Sequence, residues 1–191
     1  MRFYTFDEIN NFALKTRSKS TYYSFDNILN ESLQEQKKRN SFDIFLSHSS
    51  KDKQLILGVK QLIEDSGYSV YIDWVDDPQL DRANVNAQTA DILRTRMKQS
   101  KFLVYVDSNN ATTSKWMPWE LGYFDGYKPN KIGILPIRQK SEGSYIGQEY
   151  LDLYPQIEKN NLNALHEFKY AEINGSLFAI YFTKGSGVSL R

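Results

Sequence analysis

The chain has 191 residues, 40% hydrophobic and 14% aromatic, enough for one core-forming domain with an extension. Its formal net charge is +1 and its densest basic run is the short QKKRN at 36–40, so no basic face marks a nucleic-acid partner. It has no cysteine, which excludes disulfides, thiolate zinc sites and thiol catalysis, and fits a reducing compartment.

The N-terminal MRFYTFDEINNF carries charges at Arg2, Asp7 and Glu8 and has no apolar h-region, so it does not read as a signal peptide. No apolar run approaches the ~20 residues of a membrane span. A cytoplasmic location without a membrane partner is the expectation. Ile9, Phe12 and Ala13, then Phe25, Ile28, Leu29 and Leu33, recur at spacings near 3 and 4. That spacing predicts two short amphipathic helices, the second capped by Asp26 and ending in a charged connector. Residues 1–40 are therefore taken as an N-terminal helical extension and 41–191 as the main domain.

An α/β unit follows. FDIFLS (42–47) is a short apolar strand, and SHSSKD (47–52) a polar turn whose Ser50 or Asp52 caps the next helix. In that helix Leu55, Ile56, Val59, Leu62 and Ile63 share a face, and Gly67 marks its end. YSVYIDW (68–74) is a second strand and DDPQLDRANVNAQ (76–88) a long polar loop. TADILRTRMKQS reads as a helix capped by Thr89, KFLVYVDS (101–108) as a third strand, and KIGILPIR (131–138) as a fourth. A fifth strand is expected around Leu151–Ile157. HEFKYAEI reads as a strand or exposed ribbon, and GSLFAIYFTKG as a helix or a strand. Strands alternating with helices predict parallel βαβ units in a doubly wound sheet, where ligands sit beyond the carboxyl ends of the strands.

The loops at that edge hold the chemistry-bearing residues. In SKWMPWELGYFDG (114–126), Pro118 is tolerated only near the first helical turn, and Ser114 is the candidate cap. Helical spacing puts Trp116, Glu120 and Tyr123 on one face with Trp119 beside them. The helix dipole favours an ionised Glu120, burial beside indole the neutral form, and the sequence leaves that balance open. A first-turn glutamate is by itself ordinary. Its meaning rests on the other loops, where Ser47 and His48 end strand one, Asp73 and Trp74 end strand two, and Ser108 ends strand three. Hydroxyl and amide donors beside a helix start suit phosphate. There is no GxGxxG, P-loop or GxSxG, and the two histidines, His48 and His166, stand far apart, which argues against a histidine-rich metal site.

From about Ser41 to Ile137 the chain resembles Toll/interleukin-1 receptor (TIR) domains. FDIFLSHSSKD is similar to their opening strand and loop, the loop after YIDW to their BB loop, and SKWMPWELGYFDG to the glutamate-bearing helix of the enzymatic branch. The resemblance is strongest to bacterial TIR proteins of Thoeris-type antiphage systems. It implies a flavodoxin-like fold with about five parallel strands. It also implies NAD+ as substrate rather than cofactor, cleavage of the nicotinamide glycosidic bond, and cyclisation of ADP-ribose to a signal read by a separate effector. Self-association through TIR domains belongs to the same expectation. Carried onto this chain, Glu120 is the catalytic carboxylate, and Ser47, His48, Asp73, Trp74, Ser108 and Trp116 are substrate positions; no metal is implied. The competing readings are a TIR interaction module without catalysis and a nucleoside deoxyribosyltransferase-like enzyme.

Overall fold

The computed structural model describes residues 2–19, 40–77, 86–143, 147–159 and 162, together with three strands between 169 and 190. The expected second N-terminal helix with Asp26, the centre of the loop 76–88, and His166 lie outside the described residues.

The core is a five-stranded parallel sheet. Its strands are β1 (Tyr4–Thr5), β2 (Phe42–Ser47), β3 (Val70–Tyr71), β4 (Ser100–Asp107) and β5 (Ile132–Arg138), in the order β1-β5-β4-β2-β3. The run β3-β2-β4-β5 is the flavodoxin-like order, with its switch point between β2 and β4. The register pairs Phe45 with Tyr71 on one side and with Leu103 on the other. Because successive side chains alternate, Ile44, Leu46, Phe102, Val104 and Val106 face one layer while Phe45, Leu103 and Tyr105 face the other.

Helices α1 (Phe6–Lys19) and α2 (Lys53–Asp65) cover the first face, with Ile9, Ile56, Val59 and Ile63 fully buried. Helices α4 (Ala87–Gln99) and α5 (Met117–Tyr127) cover the second through Leu93, Met97, Met117, Leu121 and Phe124. A single turn, α3 (Asp73–Asp76), follows β3. Helix α2 ends as its sequence predicts: Gly67 adopts φ 88° and its N–H reaches Glu64 O. Strands β6 (Lys169–Ile173), β7 (Ser176–Thr183) and β8 (Ser186–Leu190) form a separate antiparallel sheet, so the described parts of HEFKYAEI and GSLFAIYFTKG, 169–173 and 176–183, are strands.

Several expectations are corrected. Strand two is shorter than 68–74, because Asp73 already begins a helical turn. Helix α4 is capped by Asn86, whose side chain accepts from Thr89 N at 2.8 Å, rather than by Thr89. Neither Ser50 nor Asp52 supplies the expected cap to α2; Ser49 caps the short 3₁₀ turn before it. The fifth strand shrinks to a bridge between Gln156 and Ile134, since residues 149–153 wind into a 3₁₀ turn. The remainder of that edge of β5 is taken by β1, where Tyr4 pairs with Ile137 and Thr5 with Arg138. The two segments join: Arg2 N donates to Glu158 Oε2 at 2.9 Å, and Lys159 N to Arg2 O at 3.0 Å. The N-terminal extension thus completes the sheet.

Packing of α1 on α2 depends on Gly58. A Cβ there would stand 2.2 Å from Ile9 O, so only glycine allows the backbones this close. Gly58→Ala should lower the denaturant midpoint by an amount equivalent to about 1–3 kcal/mol or more, read in equilibrium unfolding.

Candidate active site

Glu120 is placed by local rules. Ser114 Oγ accepts from Met117 N at 3.3 Å and Pro118, which has no N–H, sits in the first turn; the N-cap position itself is Trp116, not the expected Ser114, and its side chain makes no cap bond. Glu120 N then donates to Trp116 O at 2.8 Å, one turn back. The Glu120 side chain has no exposed surface. Its Oε2 accepts from Ser47 Oγ at 2.6 Å, a contact that joins α5 to the end of β2. Trp116 is 4% exposed and meets Trp119 edge to face at 5.4 Å. Tyr123 does not share the Glu120 face as expected. It stacks on Trp119, and Tyr127 on Tyr123, in a ladder that Arg94 of α4 overlies.

A second group lies between the ends of β2 and β3. Trp74 Nε1 donates to His48 Nε2 at 2.9 Å, and His48 Nδ1 faces Leu46 O at 2.8 Å. An indole N–H only donates and a carbonyl only accepts, so the His48 proton resides on Nδ1. Both ring nitrogens are engaged within the chain. Asp73 Oδ1 stands 3.3 Å from the same Nε2, and Lys53 lies 5.5 Å above the half-buried Trp74 ring.

Ser108 belongs to a third group. Its hydroxyl donates to Asp52 Oδ2 at 2.5 Å, and Asn110 Nδ2 donates to Asp52 Oδ1 at 2.6 Å. Between the β2–α2 and β4–α5 loops opens a cleft of about 130 Å³, walled by residues 49–51 on one side and 113–116 on the other. Lysines 51 and 115, four hydroxyls and the Trp116 ring line it. Beyond it, Arg138 Nη2 pairs with Asp107 Oδ2 at 2.5 Å. The roles of Asp52, Asn110 and Lys115 escape sequence reasoning, for the only visible signal is a polar residue in a rim loop. Among the described residues no cluster of three or more His, Cys, Asp or Glu is arranged for a metal, and no helix is long and apolar enough to cross a membrane.

This fold and its rim define the class. Residues 44–167 match the family model for the TIR domain, and the chain belongs to that family. It is 47% identical over 167 residues to "Probable 3′ cyclic ADP-D-ribose synthase ThsB′" of Bacillus cereus (strain MSX-D12), spanning 85% of this chain and 86% of that one. It is also 36% identical over 83 residues to "Putative cyclic ADP-D-ribose synthase TIR2" of Cytobacillus dafuensis, spanning 43% of this chain and 22% of that one.

Below the β3 end sits a buried acid. Desolvation pushes the Asp76 carboxyl up to about 7, against the Ile72 N–H it accepts at 2.6 Å, with Asp77 adding to the rise and Lys60 and Arg96 opposing it. A carboxyl raised on folding costs stability once it ionises: the penalty is absent below its unfolded value near 4 and complete above about 7. Asp76→Asn, which keeps the acceptor for Ile72 N, should gain on the order of a few kcal/mol over wild type at pH 8 and almost nothing at pH 4, measured by urea unfolding at both values.

Proposed function

We propose that this chain cleaves the nicotinamide N-glycosidic bond of NAD+ and cyclises the ADP-ribose into a signal for antiphage defence of the Thoeris type. The similarity to proteins named as cyclic ADP-D-ribose synthases supports the product class. One observation carries the chemistry: a fully buried glutamate, held by a serine hydroxyl, at the rim where a flavodoxin-like sheet binds ligands.

In this reading the C1′–N bond of the nicotinamide ribose breaks and its electron pair neutralises the pyridinium. Nicotinamide leaves without needing a proton. The ribose becomes an oxocarbenium ion, which the Glu120 carboxylate stabilises or captures. Ser47 fixes the direction in which that carboxylate points. Trp116 supplies an aromatic wall that excludes water, and Lys51, Lys115 and the cleft hydroxyls are donors for the diphosphate. His48 holds Trp74, whose ring offers a stacking surface, Asp73 stands beside them at the strand end, and Ser108 belongs to the frame of the cleft. A nucleophile in the adenosine half then attacks C1′. Cyclisation wins over hydrolysis only if that nucleophile is preset at high effective concentration in a dry site.

The product is read by a separate effector, and the chain self-associates through its TIR domain in the cytoplasm. Residues 41–191 form the body of that domain, and residues 1–40 an extension whose strand β1 completes its sheet.

Glu120→Gln preserves the acceptor for Ser47 and should fold normally, yet lose nicotinamide release by at least ~1,000-fold, followed by chromatography of nucleotides from cells under phage challenge. Turnover at the wild-type rate would reject the assignment and favour a non-catalytic docking module. Trp116→Ala should cost about 3 kcal/mol in chemical unfolding, with weaker NAD+ binding measured separately by calorimetry.

A further inference from the structure

Asp52 occupies the N-cap position of α2 and makes no side-chain cap bond. An aspartate there ordinarily turns to its own helix. This one turns away, 9% exposed, and spends both oxygens on the β4–α5 loop: Oδ2 accepts from Ser108 Oγ and Oδ1 from Asn110 Nδ2. Ser108 Oγ also accepts from Asn110 N at 3.2 Å, closing a compact ring of contacts.

The position of this ring matters. On one side Asp52 follows directly on residues 49–51, the first wall of the cleft, and its own N–H returns to Ser49 O at 3.0 Å. On the other side Asn110 opens the turn that becomes the second wall. Thr113 N donates to Asn110 O and Ser114 N to Ala111 O, each at 3.1 Å. That wall ends at Trp116, whose carbonyl holds the first turn of the Glu120 helix. A shift of the Asp52 contact is therefore transmitted through short hydrogen-bonded turns to both walls. Charge-assisted bonds of this length are stronger than neutral ones, and so hold a span against opening.

We propose that Asp52 is a positioning residue that sets the width of the substrate cleft by tying its two walls together. It acts through Ser108 and Asn110. The inference rests on the reading that this cleft receives NAD+.

The test measures NAD+ affinity by calorimetry in full-length Glu120→Gln protein, where turnover does not consume the ligand. Asp52→Ala should weaken NAD+ at least tenfold. Asp52→Asn should stay within threefold, because its oxygen still accepts from Asn110 and its amide donates to Ser108. Asn110→Ala cuts the same tie from the other wall and serves if Asp52→Ala does not fold; it should weaken binding several-fold. In the double variant Asp52→Ala/Asn110→Ala the loss should be no greater than in Asp52→Ala alone. In the Glu120 background the same changes should raise KM and leave kcat within threefold. Unaltered affinity in Asp52→Ala, an Asp52→Asn as weak as Asp52→Ala, or multiplying losses in the double variant would overturn the tie while leaving the NAD+ reading standing. A Glu120→Gln parent that binds no NAD+ at all overturns the substrate reading, and this inference with it.

Discussion

A carboxylate without solvent contact is the constraint around which this rim is organised. Removing Glu120 from water is costly unless a donor replaces the lost hydration. The Ser47 hydroxyl is such a donor, and it comes from a strand end 73 residues away in sequence. The contact can form only if α5 begins close over the end of β2. The Met117 N contact to Ser114, Pro118 in the first turn and Trp116 against Trp119 all serve that start. In the proposed reading, a residue that opposes the hydrophobic logic of its layer is where stability has been given up for chemistry.

The rest of the rim follows one pattern. In the order β3-β2-β4-β5 each neighbouring pair of strands is joined at its carboxyl end by side chains. His48 and Trp74 tie β2 to β3, Asp52 with Ser108 and Asn110 ties β2 to β4, and Asp107 with Arg138 ties β4 to β5. The backbone ladder ends at this level, so nothing in the sheet itself holds the loops in register beyond it. Side-chain ties extend the rigidity of the sheet into the loops, which is what a site needing sub-ångström placement requires. The opposite edge is closed differently, by β1 and the bridge at Gln156 sharing one side of β5.

Much of the fold was legible because burial and period agree. FDIFLS matches its strand residue for residue, and the α2 face with its glycine stop follows from spacing alone. The fifth position was not legible. A two-residue strand such as Tyr4–Thr5 has no period to detect, and it pairs with a partner more than a hundred residues away. The capping errors have different causes. Asp52 and Ser50 are good caps by residue type, but Asp52 gives both oxygens to tertiary partners, and the turn before α2 is capped one residue earlier, by Ser49. At the rim, Glu120 one turn after Trp116 follows the helical spacing, whereas the ring contacts of Tyr123 do not. Packing of α4 against α5 turns its ring toward Trp119 and Arg94.

His48 sharpens what kind of chemistry the rim supports. A histidine at a strand end beside a buried carboxylate invites an acid–base assignment. Its Nδ1 is given to Leu46 O and its Nε2 to the Trp74 indole, so its hydrogen bonds orient a ring and brace a strand end. Loss of nicotinamide asks for no proton on the leaving group, because the pyridinium departs neutral once it takes the bonding pair. What the reaction asks for is a fixed negative charge beside the sugar and walls that keep water from C1′. In the proposed reading Glu120, held by the Ser47 hydroxyl, stands where that charge is needed, and a histidine used as a brace is consistent with it.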